Sequence, residues 1–175
     1  MRRALPFDPI AEARRNWIES GWGDAADGMA LVTSIMRAHQ ILLARVDEVL
    51  APFDITFARY EALMLLSFSR SGRLPLGKIG ARLQVHPASV TNVIDRLEQD
   101  GLVRRRPHPT DGRTTLAVIT AKGRRVAAAT TAALNSQVFE HSGLDEERLH
   151  AVFEALADLR HAEGDFTELP TSSTA

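Results

Sequence analysis

The sequence has no cysteine in its 175 residues, which excludes a disulfide framework, cysteine-based zinc binding and a thiol redox switch. It also has no long hydrophobic run. Its longest apolar stretch, residues 62–66, falls far short of the roughly 18 residues that a membrane-spanning helix needs. The opening Met1-Arg2-Arg3-Ala4-Leu5-Pro6 has basic residues with no apolar stretch behind them, unlike a secretory signal. We therefore expect a soluble, cytoplasmic, nucleoid-associated protein with no membrane partner. Catalytic signatures are missing too. The six histidines (His39, His86, His108, His141, His150, His161) form no H-x-x-x-H pair, and no Gly-rich phosphate loop, Ser-x-x-Lys or G-x-S-x-G occurs. His141 beside Glu140, and His150 one turn from Glu154, read as surface pairs. Neither an enzyme, nor a metal site, nor a cofactor is expected.

What is present is ordinary in bulk and uneven in detail. A chain of this length supports one domain with a real core, and 45% hydrophobic with 25% charged residues are globular values. The net charge is only −1. Residues 70–125 nevertheless hold twelve Arg/Lys against four acidic side chains, a balance of +8, which leaves −9 for the rest. A basic centre between acidic ends is the footprint of a protein that presents one face to phosphates.

The local pattern of residues 74–120 explains where that charge goes. Leu76, Ile79 and Leu83 form an apolar stripe at helical spacing, which breaks near His86. Pro87 suits the first position of a new helix, where its missing N–H is harmless. Val90, Ile94 and Leu97 then recur on one face, as in a helix docked on a core. Gly101 can take the left-handed conformation that ends it. Two short runs, 103–106 and 115–119, flank a Pro/Gly-rich tip at 107–112 and predict a β-hairpin. Helix, turn, helix and cationic hairpin together predict a winged helix-turn-helix and a double-stranded DNA partner. The fold class expected is therefore mainly α with a small β-hairpin wing, flanked by long helices.

The flanks follow from the same rules. Residues Asp8 to Glu19 predict an N-terminal helix, broken at Gly21-Trp22-Gly23. Residues 24–50 predict a long helix capped by Asp24 or Asp27, with apolar positions every three to four residues over seven turns. Thr56 is the expected cap of a helix ending near Gly72, with a turn and short edge strand following at 73–76. Beyond the hairpin, an alanine-rich helix should run to about His141, and Asp145 should cap a last helix striped by Leu149, Val152, Phe153, Leu156 and Leu159. Residues 163–175 are polar and expected to be disordered. This divides a single domain, 1–175, into an added helix (8–22), helices for dimerisation (24–50 and 121–162) and a DNA-binding lobe (51–120). The outer helices carry more apolar surface than a small winged module covers. A homodimer would bury it; a helical bundle folded back on its own subunit is the alternative.

These residues also resemble a known family. Leu76-Gly77-Lys78-Ile79-Gly80, the run from Ser89 to Glu98, Gly101-Leu102-Val103-Arg104-Arg105, and Asp111-Gly112-Arg113 followed by Leu116 to Gly123 are similar to the MarR family of bacterial transcription regulators, over roughly residues 25–162. The resemblance implies an obligate dimer with two wings straddling the duplex, and repression relieved by a small ligand. The added helix with Trp17 resembles the urate-responsive branch, where such a helix brings Trp and Arg over a pocket. That likeness nominates Trp17, His39, Glu61 and Arg70, with Arg14 or Arg15 nearby, for a small anionic or aromatic effector. Glu61 is longer than the branch's Asp and the following arginine is differently spaced, so a carboxylate or thioester metabolite stands beside urate. Trp17 could instead staple the added helix, and His39 could be a hydrogen-bonded core residue.

For DNA, the helix geometry leaves Ser89, Thr91, Asn92 and Arg96 away from the buried face. Asn92 and Ser89 are expected at or near base edges of a pseudo-palindromic operator, Thr91 and Arg96 on the phosphate side. Arg96 could equally pair with Glu98 or Asp100. In the wing, Arg104 and Arg106 share one face and Arg105 the other. Asp111 is expected either to orient Arg113 into the minor groove or to act as a turn residue. A winged helix that binds protein rather than DNA is the rival function.

Overall fold

The computed structural model describes residues 4–83 and 86–168, the side chain of Pro87 aside. It is mainly helical with one small antiparallel sheet, as the sequence pattern requires. The chain divides into two compact units, one ending at Leu134 and one starting at Asn135.

In the first unit, helix α1 (Pro9–Glu19) starts where Asp8 accepts a hydrogen bond from the Ile10 N–H at 2.9 Å, with Pro9 in the first turn. It ends at Ser20, and Gly21 turns the chain with φ 85°. Helix α2 (Gly23–Leu50) follows at once, one residue earlier than the expected start at 24. Trp22 stands at its N-cap and supplies no side-chain cap, so the expected capping by Asp24 or Asp27 does not occur. Asp27 is engaged elsewhere: its Oδ1 accepts from Arg14 Nε on α1 at 2.5 Å. That hydrogen bond, with the charge of Arg14, holds the Asp27 carboxyl below its ordinary range. Trp17 meets Trp22 edge-on, with ring centroids 5.2 Å apart.

A short 3-10 turn (Ala51–Phe53) and Asp54 at φ 52° lead to helix α3 (Phe57–Phe68), capped by Thr56, whose hydroxyl accepts from Arg59 N. Helix α3 stops four residues short of the expected Gly72, because Ser69 turns extended at its C-cap. Strand β1 (Arg73–Pro75) then leads directly into helix α4 (Leu76–Leu83) and, past residues 84–85, helix α5 (Pro87–Gln99). Strands β2 (Val103–Pro107) and β3 (Thr115–Ile119) complete an antiparallel sheet ordered β1-β3-β2. Leu50, Leu63, Leu66, Ile79, Ile94, Leu97 and Val103 are its fully buried core. Burying each such side chain contributes about 1.5–3 kcal/mol.

Helix α6 (Ala121–Gln137) is pinned at its start to the turn between α5 and β2. The Thr120 hydroxyl accepts from Gly123 N at 3.0 Å and lies within hydrogen-bonding reach of the Gly101 and Leu102 carbonyls, and Lys122 Nζ donates to the Asp100 carbonyl at 2.7 Å. A Cβ on Gly123 would stand 2.2 Å from the Leu102 carbonyl oxygen, so only glycine permits this approach.

The second unit continues α6 to Gln137, not to His141 as the pattern suggested. Val138 leaves the helical path (φ −128°) and buries its side chain, and residues Phe139–His141 form a separate 3-10 turn. Helix α7 (Glu146–Ala162) is capped by Asp145. Its stripe of Leu149, Val152, Phe153, Leu156 and Leu159 is exposed. Residues 163–168 of the expected tail turn back along the helix end: Asp165 lies 3.7 Å from Arg160 and Phe166 beneath its guanidinium. Residues 169–175 of that tail lie outside the described residues.

Candidate nucleic-acid interface

Helix α5 docks by its apolar face and exposes much of the other. Val90, Ile94 and Leu97 are buried, whereas Ser89, Thr91, Asn92 and Arg96 are all exposed. His86 begins the helix in an unusual way for its residue type. Its Nδ1 accepts from the Ala88 N–H at 3.2 Å, the part a Ser or Asp plays at most helix starts. The residues outside the buried face fall into two flanks by helical spacing. Ser89, Asn92 and Arg96 line one, and Thr91, Asp95 and Glu98 the other. Arg96 Nη1 reaches Gln99 at 3.4 Å and pairs with neither Glu98 nor Asp100. Both acids are taken: Glu98 by Arg105 and Asp100 by Arg59, the latter at 3.2 Å. A cleft of about 380 Å³ runs beside α5 between Asp54, Thr56, Arg59, Asn92, Arg96 and Asp100.

The recognition-helix candidate and the wing are tied together by Arg105. Its backbone N–H donates to Glu98 Oε1 at 2.7 Å, and its guanidinium reaches Asp95 Oδ1, Glu98 Oε2 (3.2 Å) and the Thr91 carbonyl (3.3 Å). These charge-assisted bonds cross from β2 to α5 and fix the angle between them. Arg104 and Arg106 stand on the opposite face of the strand, exposed, with no carboxylate partner among the described residues.

At the wing tip Asp111 builds the turn. Its Oδ1 accepts from the Arg113 backbone N–H at 3.0 Å and its Oδ2 from the Thr114 hydroxyl at 2.6 Å. These bonds hold its carboxyl below the ordinary 3.8. Asp111 therefore fixes the backbone that presents Arg113 and does not touch the guanidinium, which is exposed and without an acidic partner among the described residues.

The four effector candidates are not joined to one another. No hydrogen bond, ion pair or ring contact links any two of Trp17, His39, Glu61 and Arg70. Trp17 is half-buried against Trp22; His39 and Arg70 are exposed. Glu61 is half-buried on α3, and burial pushes its carboxyl above the usual 4.5.

Residues missed from sequence include Arg59, His86 as a cap, and the group Arg73, Lys78 and His108, whose cleft with Ser69, Ser71 and Leu116 measures about 500 Å³. Their separation in sequence hid the last group; β1, the start of α4 and the wing tip bring it to one cleft. No cluster of three potential metal ligands, and no helix long and apolar enough to cross a membrane, occurs among the described residues.

Comparison with known proteins gives the fold a lineage. Residues 55–115 match the MarR family profile. A MarR family transcriptional regulator from Streptomyces coelicolor, Sco5413, is 55% identical with a TM-score of 0.74, covering 81% of this chain and 99% of that one. Sco3205 from the same organism, solved in complex with DNA, is 25% identical (TM-score 0.69; 84% and 90% covered). The transcriptional regulator TtmR of Methylorubrum extorquens is 30% identical over 79% of this chain and 68% of its own length. Two other curated relatives are matched over only 47% and 64% of their lengths. With its helix-turn-helix, its wing and its near-complete overlap with a solved member, the chain belongs to the MarR family.

Proposed function

We propose that the chain is a sequence-specific transcriptional regulator that binds an inverted-repeat operator in double-stranded DNA as a homodimer. Helix α5 lies in the major groove and the β2–β3 wing in the flanking minor groove. The observation that carries this is the pairing of an exposed Ser89/Asn92/Arg96 flank on α5 with an unpaired Arg113 at the wing tip, both mounted on one frame by the Arg105 bridge. Asn92 and Ser89 serve base edges; Thr91, Arg96, Arg104 and Arg106 serve phosphates; Asp111 shapes the tip for Arg113. Helix α2 and residues 121–162 supply the dimer contacts. The regulator is a repressor released by a small anionic or aromatic effector, with contacts drawn from Trp17, His39, Glu61 and Arg70; urate and carboxylate or thioester metabolites are the compounds to test.

The test is a gel shift against DNA upstream of the chain's own gene at two salt concentrations. Affinity should fall with a log–log slope of about −0.9 per phosphate neutralised, and Arg113→Ala should weaken binding by about 1–3 kcal/mol. An affinity independent of salt would favour a protein-binding winged helix instead. For the effector, Trp fluorescence and operator release are measured together; a panel of aromatic acids, organic acids and acyl thioesters that moves neither removes that part of the reading.

A further inference from the structure

The wing sheet has two faces that differ in their unpaired charge. Residues directly paired across an antiparallel ladder point the same way. Arg73 pairs with Val118 and Val118 with Arg104, while Pro75 pairs with Leu116 and Leu116 with Arg106. These six residues therefore share one face. Leu74, Ala117 and Arg105 form the row between them and point to the other, where Arg105 is bonded to α5. The face turned away from α5 thus carries Arg73, Arg104 and Arg106, and the adjoining cleft adds Lys78 and His108. No ion pair to any of these four Arg/Lys side chains occurs among the described residues. No carboxylate lines that cleft or the neighbouring one, of about 250 Å³, beside Arg104 and Arg106. Three hydroxyls, Ser69, Ser71 and Thr110, border the first cleft, and Leu116, buried on this face, forms its floor.

We propose that Arg73 and Lys78 extend the phosphate contacts of Arg104 and Arg106 across this outer face of the wing, which holds the operator's flank on the side of the minor groove remote from α5. The proposal rests on the DNA-binding reading above. A hairpin inserted into a minor groove has a phosphate wall on each side. Its inner face looks toward the segment that α5 reads, and its outer face toward the flank beyond. Arg73 and Arg104 are separated by one intervening strand, hence about 10 Å apart across the sheet. That spacing suits successive phosphates of one strand, which carries a charge per about 3.4 Å of axis. A small anion would instead require cations converging on one point. The contacts are sequence-independent, because they reach backbone oxygens and no base edge.

The experiment uses the full chain and an operator duplex selected by it from a random pool, trimmed stepwise from both ends. Affinity is read by fluorescence anisotropy between 50 and 200 mM salt. Wild type should lose affinity as the flanks are shortened. Arg73→Ala/Lys78→Ala should bind the long duplex roughly three- to tenfold more weakly, with a salt slope smaller by about 0.9 for each contact removed. On the shortest duplex the two proteins should bind alike. Because both side chains are exposed, unchanged thermal unfolding of the variant verifies its fold, and Arg73→Lys should retain the flank effect. Equal weakening on long and short duplexes, or no weakening on either, overturns the proposal while leaving the regulator reading intact. Failure of wild type to select any duplex overturns that reading itself.

Discussion

Glu61 shows how a single side chain reports on its surroundings. It sits half-buried on α3, and desolvation raises its carboxyl above the ordinary 4.5. The folded chain therefore keeps this proton to higher pH than the unfolded chain does, so its contribution to stability falls as pH rises from below 4.5 through the folded value. Glu61→Gln removes the ionisation while nearly conserving shape. Its melting temperature should exceed that of wild type at pH 7.5 and match it near pH 4; an equal gain at both would mean that burial of the charge is not the cause. Asp111 behaves oppositely. Its carboxyl is held down by the Thr114 hydroxyl and the Arg113 N–H, so the tip loses its order only when pH falls through that lowered value, below 3.8, and is steady near neutrality. The Asx-type role of Asp111 was one of two readings open in sequence, because an Asp two residues before an Arg can serve either its backbone or its side chain. Only coordinates separate the two. His86 was less legible still. An imidazole is an uncommon N-cap, and no spacing rule announces that its Nδ1 will face the Ala88 N–H.

Between residues and fold, the element that matters most is the joint of α5 with β2. Strand alternation alone put Arg105 on the face opposite Arg104 and Arg106, and this was readable from sequence. Its partners were not, because Asp95 and Glu98 lie seven to ten residues away across a turn set by Gly101 at φ 70°. The helix boundaries were legible where caps or breakers act locally, as at Asp8, Thr56, Pro87 and Asp145. They were misread where tertiary partners decide, as at Asp27 beside Arg14 and at Val138. If the joint positions the wing, Arg105→Gln should destabilise the fold by about 1–3 kcal/mol and weaken operator binding further than Glu98→Gln, although neither residue is placed on DNA. A double-mutant cycle with Glu98→Gln should show a coupling of about 0.5–3 kcal/mol. Chemical denaturation supplies the stability and anisotropy the affinity. Strict additivity of the two substitutions would dissolve the joint.

For the whole molecule the governing fact is surface that a single chain leaves uncovered. In the first unit, Ile18 on α1 and Leu31, Val32, Met36, Ile41 and Leu42 on α2 are exposed; in the second, Leu149, Val152, Phe153, Leu156 and Leu159 on α7 are exposed as well. Soluble monomers rarely carry apolar surface on this scale, whereas a twofold interface buries each patch against its own copy. Charge tells the same story from the other side. The net −1 conceals +8 within residues 70–125 and −9 elsewhere, so most of the positive charge lies outside the apolar stripes of α2 and α7. In the proposed dimer, two α5 helices related by the twofold would read half-sites about one helical turn, or 10–10.5 base pairs, apart. Two measurements follow. Thermal unfolding should shift upward with protein concentration, because association stabilises only the folded chain, and light scattering should give twice the mass of 19.2 kDa. Phe153→Glu, which sets a charge in the α7 stripe, should abolish the concentration dependence. It should also reduce operator affinity far more than it reduces binding to a duplex with one half-site, since a single subunit can still engage one α5 and one wing. A chain that stays at the single-subunit mass at micromolar concentration, with its unfolding indifferent to dilution, would mean that these apolar faces serve some other purpose.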